Sequence, residues 1–239
     1  MKNIAIFLIL MLLVGSIGAS ADRGAVSEGK AYTLSVNPSA AYPDDGKKLT
    51  DGATATLTDK TYHKSGAYVG INRSSLDESG KIDIVVDLGK TYDELTGFAL
   101  SYDVEPDAGI YAPESVMIMV SDSADGIYTS VGTIQTTEPT ASGTVKTGVA
   151  EYKPDKAVSG RYVRFTVQHP LSAAAGDGTE ITAGWIFIDE ITVYAETGTT
   201  PQTGAVREAW ISILLGSAMI ITCSGIVFAG IIKKRRLKS

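Results

Sequence analysis

A set of aromatic and polar side chains has the types needed to bind a sugar. A sugar ring needs a flat aromatic face for C–H stacking and planar polar groups for its paired hydroxyls. Four such residues lie in residues 53–80, which predict a long loop, and a fifth borders a second long loop at residues 171–184. The predicted ligand-binding residues are Tyr62, His63, Tyr68, Arg73 and Trp185.

Two of these rings have a second interpretation. A structural role for Tyr68 and Trp185 is as well supported as contact with a sugar. Arg73 and His63 are better candidates because loops rarely need such side chains for packing, although a lone loop arginine is most often simply solvated. His169 stands at a predicted strand end and is interpreted as a polar strand-terminal residue.

The parts of most catalytic sites are missing. The chain has two histidines, far apart in sequence, and one cysteine in an apolar segment, so nucleophile–base pairs lose their usual members. No HExxH, G-x-S-x-G or phosphate-binding loop pattern occurs. Asp and Glu are abundant enough for a glycosidase-type pair, but such enzymes usually need larger scaffolds. We therefore predict that the protein is not an enzyme.

The segment between the two ends of the chain is strongly acidic. Residues 22–204 contain 14 Lys and Arg against 26 Asp and Glu, a net charge of −12. Such a surface repels nucleic acid and anionic lipid and suits hard cations bound through oxygen ligands. The single cysteine, Cys223, lies outside this segment, so its stability must come from a core or a metal instead of a disulfide.

Apolar–polar alternation dominates this segment and predicts β-strands. Clusters of Gly, Pro, Asn and Asp separate the alternating runs, as in antiparallel sandwiches. About 170 residues suffice for one domain with a sizeable core. The eight predicted strands are residues 31–37, 81–88, 98–104, 115–121, 128–134, 145–152, 161–168 and 185–194.

A family resemblance follows from the order of the motifs. The chain reads LTDG, AYVGIN, IDIVVDLG, PESVMIMVSDSADGIY, GRYVRFTV and WIFIDEITVY between residues 32 and 194. This order resembles the galactose-binding-like jelly roll, which includes the discoidin (coagulation factor type C) domains and many bacterial carbohydrate-binding modules. The resemblance implies an all-β fold, an antiparallel jelly-roll β-sandwich over residues 22–195. It also implies that the loop at residues 42–52 meets the last strand.

In many of these relatives the Asp-Gly loop and a glutamate of the last strand hold a structural Ca²⁺. Ca²⁺ takes six to eight oxygen ligands, which carbonyl-rich turns supply. Ala53 stands where relatives often have an acidic or amide residue. The alternative is that the aspartate only caps a turn and the glutamate is a solvated edge residue. The ligands implied by the resemblance are the side chains of Asp51 and Glu190, the carbonyls of Lys48 and Ala53, and an oxygen of Thr56.

The two ends of the chain predict export and anchoring. Residues 1–21 have the charge, short apolar run and small-x-small end of a signal peptide. Residues 210–232 are 23 uncharged, mostly apolar residues, typical of a transmembrane helix. Residues 233–239 carry five cations, which place that end in the cytoplasm.

The linker at residues 196–209 contains a PxTG motif. Followed by an apolar helix and a basic tail, it resembles the sorting signal of Gram-positive surface proteins, in which a sortase cuts between Thr and Gly and joins the Thr to the cell wall or a pilin. The matching residues are Pro201, Thr203 and Gly204, whereas Thr200 replaces the commonest leucine. A plain single-pass anchor is the alternative.

The sequence therefore predicts a surface-anchored, non-catalytic binding protein. Its predicted partner is carbohydrate, bound by loops of a calcium-stabilised jelly roll, with sortase and the membrane as further partners. The alternative is a structural or protein-adhesion subunit that has no sugar ligand.

Overall fold

The long strands form where the sequence alternates, and the pairings among strands β2 to β11 are antiparallel. The computed structural model describes residues 22–136, 145–170, 172–174, 180–182 and 184–197. These residues contain no α-helix, only 3₁₀ turns at Lys48–Thr50, His63–Ser65, Arg73–Ser75 and Pro106–Ala108. The strands are β1 Asp22–Ala25, β2 Ala31–Leu34, β3 Val69–Asn72, β4 Lys81–Val104, β5 Ser115–Ser121, β6 Thr129–Gln135, β7 Lys146–Tyr152, β8 Val158–Gln168, β9 Ser172–Ala174, β10 Glu180–Thr182 and β11 Trp185–Thr197.

Strand β4 connects the two halves of the fold. Its first half pairs with β2 and β8, and its second half pairs with β7 and β11. The register with β8 shifts between Asp87 and Leu95, where Gly89 adopts a left-handed φ of +81°. The two strands predicted at residues 81–88 and 98–104 are therefore one bent strand of 24 residues, which corrects that prediction.

One hydrophobic core lies between these halves. Phe98, from the second half of β4, meets Phe165 of β8 edge to face, with ring centroids 6.4 Å apart. Inward-facing residues of β4, β5, β8 and β11 fill the rest, which is the arrangement of a β-sandwich. Fully buried members include Ile82, Ile84, Leu100, Ile118, Val163, Val167, Ile191 and Val193.

The two predicted long loops contain short strands. β3 lies within residues 53–80 and pairs with the start of β11, while β9 and β10 form a hairpin within residues 171–184. β3 spans four residues, of which the first three are all buried. Because neither of its faces is polar, it shows no alternation, and the sequence pattern could not reveal it.

The early Asp-Gly loop packs against the last strand, as the resemblance implies. The Gly52 N–H donates to Glu190 Oε2 at 3.1 Å, and the Ala55 N–H donates to Asp189 Oδ2 at 2.9 Å. Residues Arg23–Thr197 form one compact unit.

Within the described ranges, the structure contains no helix long and apolar enough to cross a membrane. The predicted signal peptide, sorting motif, transmembrane helix and basic tail all lie outside those ranges.

Candidate functional site

Several aromatic rings meet where β3 pairs with the start of β11. Phe187 is buried, and the partly exposed ring of Tyr42 lies edge-on to it at a centroid distance of 4.6 Å. Trp185 lies 5.8 Å from Phe187 and 5.6 Å from Tyr42. Tyr62 packs against the same small cluster, which also contains Tyr68. We call Tyr42, Tyr62, Trp185 and Phe187 the aromatic group.

A glycine in β3 lets these rings approach. The Gly70 N–H donates to the Tyr42 carbonyl at 3.1 Å, and its own carbonyl accepts from the Ser39 N–H at 2.9 Å. A Cβ added at Gly70 would lie 2.7 Å from Tyr42 Cβ and 3.1 Å from Phe187 Cζ. Any side chain at this position would clash with Tyr42 and Phe187. Glycine at position 70 therefore allows the aromatic group to pack against β3.

A buried glutamate at the end of β4 holds the loop that carries His63. Glu105 Oε1 accepts from the Tyr62 N–H at 2.5 Å and from the His63 N–H at 3.0 Å. Its Oε2 lies 2.7 Å from His63 Nδ1 and accepts the hydroxyl hydrogen of Thr61. Burial opposes ionisation, but the hydrogen bonds from Thr61 and His63 outweigh it and lower the pKa of Glu105. The carboxylate thus stays charged and fixes the loop.

The structure separates the five predicted ligand residues. Tyr62, His63 and Trp185 come together around Phe187, with the His63 ring 6.2 Å from Phe187. Tyr68 is only 1% exposed, so its interpretation as a core residue fits and a ligand contact does not. The backbone of Arg73 lies beside this group, because its N–H donates to the Gly184 carbonyl at 2.9 Å.

The Arg73 side chain turns back onto its own loop. Its Nη1 donates to the Asp77 carbonyl at 2.9 Å. The backbone of Arg73 therefore lies next to the aromatic group, whereas its side chain is directed toward residue 77. His169 is fully buried, and its Nδ1 donates to the Pro170 carbonyl at 2.6 Å. Burial lowers the pKa of His169, which keeps the imidazole neutral. His169 is therefore a core residue in this fold.

A second cluster surrounds the Asp-Gly loop. Asp189 Oδ1 is buried and has no hydrogen-bond partner among the described residues, and Glu190 is only 8% exposed. The Glu28 carboxyl packs over Gly52, since a Cβ added there would lie 3.4 Å from Glu28 Cδ. Burial, with added repulsion from Asp51, Asp189 and Glu28, raises the pKa of Glu190 to about 8. We call Glu28, Asp51, Asp189 and Glu190 the acidic group.

The donor set of the acidic group fits a hard cation. Glu190 is buried among acids, which contradicts its interpretation as a solvated edge residue, and a bound cation would offset their repulsion. Asp51 Oδ1 does accept from the Ala53 N–H at 2.8 Å, as the turn-capping alternative requires. Lys48 uses its Nζ on the Pro43 carbonyl at 2.7 Å, which leaves only its carbonyl for a metal. Thr56 is exposed, one residue after the Ala55 N–H that bonds to Asp189.

Sequence reasoning missed Asp189 and Glu28 in this cluster. Alternation would place Asp189 and Glu190 on opposite faces of β11, but the pairing with β4 shifts register between Ile188 and Glu190. All three residues are buried as a result. Glu28 lies beside the Asp-Gly loop because the Gly29 N–H donates to the Thr50 carbonyl at 2.6 Å. Local sequence patterns do not predict such a long-range contact.

Sequence reasoning also missed Tyr42, Asp103 and Glu105. For Asp103 and Glu105, the sequence signal was that two acids, two positions apart, stand at the end of a strongly apolar strand. Acids there are usually solvated, whereas these two are 0% and 3% exposed because residues 61–63 cover them.

No protein-family model and no curated protein matches this chain. Among solved structures, it is similar to chitosan-binding module 1 of a chitosanase/glucanase from Paenibacillus sp. IK-5, with 17% identity and a TM-score of 0.46 over 72% of this chain and 99% of the other. It is also similar to CpGH89CBM32-5 from Clostridium perfringens in complex with GalNAc-β-1,3-galactose, with 16% identity and a TM-score of 0.47 over 72% and 100%.

A third similar structure is the family 32 carbohydrate-binding module of NanJ from C. perfringens in complex with galactose. The identity is 14% and the TM-score 0.46, over 72% of this chain and 99% of the other. All three are carbohydrate-binding modules of the kind that the sequence resemblance names, and the likeness concerns the fold alone.

Proposed function

We propose that the protein is a non-catalytic carbohydrate-binding protein displayed at a bacterial surface, and that the aromatic group is its sugar site. The observation that carries the proposal is the set of partly exposed rings, Tyr42, Tyr62 and Trp185, packed around the buried Phe187. Aromatic rings stack on the C–H faces of sugars, and His63, which contacts Tyr42 and Phe187, supplies a polar ring beside the aromatic group.

Packing prepares this site before a ligand arrives. The edge-to-face contacts among Tyr42, Trp185 and Phe187 fix the ring orientations, and Glu105 fixes the loop of Tyr62 and His63. Side chains that are already ordered lose less conformational entropy when they bind. A small, rigid, partly apolar surface is therefore suited to recognition of one or two sugar rings.

A glycan array tests the proposal. We expect the wild-type protein to retain at least one class of glycan, and Trp185→Ala to weaken retention at least about tenfold, because a lost aromatic contact of about 1.4 kcal/mol has that effect. Arg73→Ala should also weaken retention if the side chain swings from the Asp77 carbonyl to a sugar hydroxyl. Tyr128→Ala is the matched control, since this partly exposed ring stacks on Arg164 away from the aromatic group.

The array also separates the sugar proposal from the alternative function. A well-folded wild-type protein that retains no glycan of any class would favour a structural or protein-adhesion role. Equal loss of retention in Tyr128→Ala and Trp185→Ala would point to general destabilisation and would count against a sugar site at the aromatic group.

We further propose that the acidic group binds a structural Ca²⁺. Asp51 and Glu190 would supply the main carboxylate oxygens, with Glu28, Asp189 and the carbonyls of the loop close by. Ca²⁺ would supply charge compensation and hold the loop on β11. The support is that two buried acids, Asp189 and Glu190, lie beside the exposed carboxylates of Asp51 and Glu28.

Calcium removal tests this second proposal. A ligand that binds only the folded state stabilises it by mass action, so EDTA should lower the melting temperature and excess Ca²⁺ should restore it. Asp51→Asn should abolish the calcium-dependent part of the shift, and Asp155→Asn, at an exposed position elsewhere, should preserve it. If the wild type has the same melting temperature in EDTA and in Ca²⁺, the proposed Ca²⁺ site is wrong.

A further inference from the structure

A second group of metal-ligating side chains shares no residue with the acidic group, although Asp189 lies near enough to Asp103 to help raise its pKa. One ligand atom each of His63, Asp103 and Glu105 lies within 4.8 Å of the other two. His63 Nδ1 and Glu105 Oε2 are 2.7 Å apart, and Thr61 Oγ1 is 2.6 Å from the same nitrogen. An imidazole, two carboxylates and a hydroxyl thus converge where the first long loop crosses the end of β4.

The decisive member of this group is Asp103. Its side chain is fully buried, and neither carboxylate oxygen accepts a hydrogen bond of normal geometry among the described residues. Its polar neighbours are the carboxyl group of Glu105, another acceptor, and the Val104 N–H, which makes no hydrogen bond of normal geometry to it. A buried carboxylate without a donor is costly, so the site requires either a proton or a cation.

We propose that His63, Asp103 and Glu105 bind a divalent transition-metal ion, with Zn²⁺ as the best-fitting ion. A neutral imidazole with two carboxylates carries a charge of −2, which one divalent ion cancels. The imidazole selects Zn²⁺ and its first-row neighbours over Ca²⁺ and Mg²⁺, which prefer all-oxygen sites. Three protein ligands leave one tetrahedral position for water or for the Thr61 hydroxyl. The proposal does not depend on sugar binding.

The three ligand atoms, which lie within 4.8 Å of one another, must shift to accept the ion. Two ligand atoms about 2.0–2.1 Å from Zn²⁺ at a tetrahedral angle lie about 3.3 Å apart, so the contact between His63 Nδ1 and Glu105 Oε2 must open by roughly half an ångström. His63 lies in a surface loop, which allows this movement. Burial, and next the neighbouring Glu105 carboxyl, raise the pKa of Asp103 to about 8.

The ion would join the loop to the sheet. Residues 61–63 are bonded to Glu105 at the end of β4, and a metal would add a link from the His63 ring to both acids. Since Tyr62 belongs to the aromatic group, occupancy of the metal site would fix one of its rings.

The test uses the full chain, untagged, solubilised in detergent and stripped of metal. Isothermal titration with ZnCl₂ at pH 7.5 should give one Zn²⁺ per chain. Asp103→Asn should weaken binding by about 100-fold or more. This variant should stay folded, because its amide can donate to Glu105 as a protonated acid would. His63→Gln should cause a comparable loss, and Asp155→Asn, at an exposed position elsewhere, should bind Zn²⁺ like the wild type.

Three results would overturn the proposal. In the first, the wild type is folded but does not bind Zn²⁺ in the millimolar range or tighter. In the second, Asp103→Asn binds Zn²⁺ as tightly as the wild type does. In the third, His63→Gln binds Zn²⁺ as tightly as the wild type does. The first result would assign the pair of acids to a shared proton instead of a metal. The second would place the bound ion elsewhere on the chain. None of them bears on glycan retention, so the sugar proposal is tested separately.

Discussion

Two buried acids, Glu190 and Asp103, are central to the chemistry of this protein at the scale of single residues. Each lies under a loop that crosses the sheet, and burial raises the pKa of each to about 8. A core that contains such groups is less stable when they are charged, unless a cation or a proton compensates. The proposed Ca²⁺ and Zn²⁺ sites share this physical origin, although their ligand types select different ions.

The raised pKa of Glu190 predicts how stability depends on pH without metal. Its ordinary pKa is 4.5, so between about pH 4.5 and 8 the folded state binds more protons than the unfolded state. The free energy of unfolding in EDTA should therefore fall as the pH rises through that window, and Asp103 contributes with the same sign. Urea denaturation at pH 5 and pH 8.5 measures the change.

Glu190→Gln should remove about 2–4 kcal/mol of this pH dependence, because each tenfold change in proton affinity is worth roughly 1.4 kcal/mol and solvent screens part of it. The remainder belongs largely to Asp103. Asp155→Asn, which changes an exposed carboxylate, should leave the dependence as in the wild type. An unchanged dependence in Glu190→Gln would show that this carboxyl is not the titrating group.

Residue-scale prediction from sequence succeeded only where a motif fixed the position. The order of the motifs placed Asp51 and Glu190 close together, and the structure agrees. The burial of Asp189 depends on a register shift between β11 and β4, which the sequence does not show. The role of Glu105 depends on which loop lies against the end of β4. Such contacts join residues far apart in the chain, so periodicity carries no information on them.

At the scale of elements, the short strand β3 organises the proposed sugar site. It pairs with the start of β11 and so brings Trp185 and Phe187 next to the loop that carries Tyr42. Sequence alternation identified the long strands but not this four-residue one. Alternation also divided β4 in two, because residues 89–94, where the strand bends between the halves, are mostly exposed and interrupt the pattern.

Gly70→Ala should disturb this element and the site together. The added methyl group would meet Tyr42 Cβ at 2.7 Å, and an atom so near the backbone cannot rotate away. We expect a loss of about 1–3 kcal/mol in the free energy of unfolding. We also expect weaker glycan retention, measured on the same amount of folded protein.

Gly148→Ala is the matched control for this strand glycine. Its methyl group would meet Tyr102 Cζ at 2.4 Å, and because Tyr102 is a buried core residue this variant should lose stability as well. Gly148 lies in β7, which pairs with β4 and not with β11. Retention should therefore match the wild type once the folded fraction is equal. A similar loss in both glycine variants would indicate that the aromatic group has no special part in binding.

At the scale of the whole molecule, one compact acidic domain is proposed to be displayed outside the cell. The domain at Arg23–Thr197 has its own core, and the segments with the features of export and anchoring lie on either side of it in the sequence. Linear signals such as these are read directly from local composition. They are therefore predictable from sequence without any knowledge of long-range contacts, unlike the ligand site.

The sorting motif predicts how the protein is attached. If a sortase cuts after Thr203 and joins its carboxyl group to the cell wall, wild-type protein resists detergent and is released by wall digestion. Thr203→Ala should shift it to the detergent-soluble fraction, because the transmembrane segment alone then holds it. Thr199→Ala, outside the PxTG motif, should behave like the wild type. Fractionation followed by immunoblotting gives the answer, and complete detergent extraction of the wild type would leave the plain single-pass anchor as the mode of attachment.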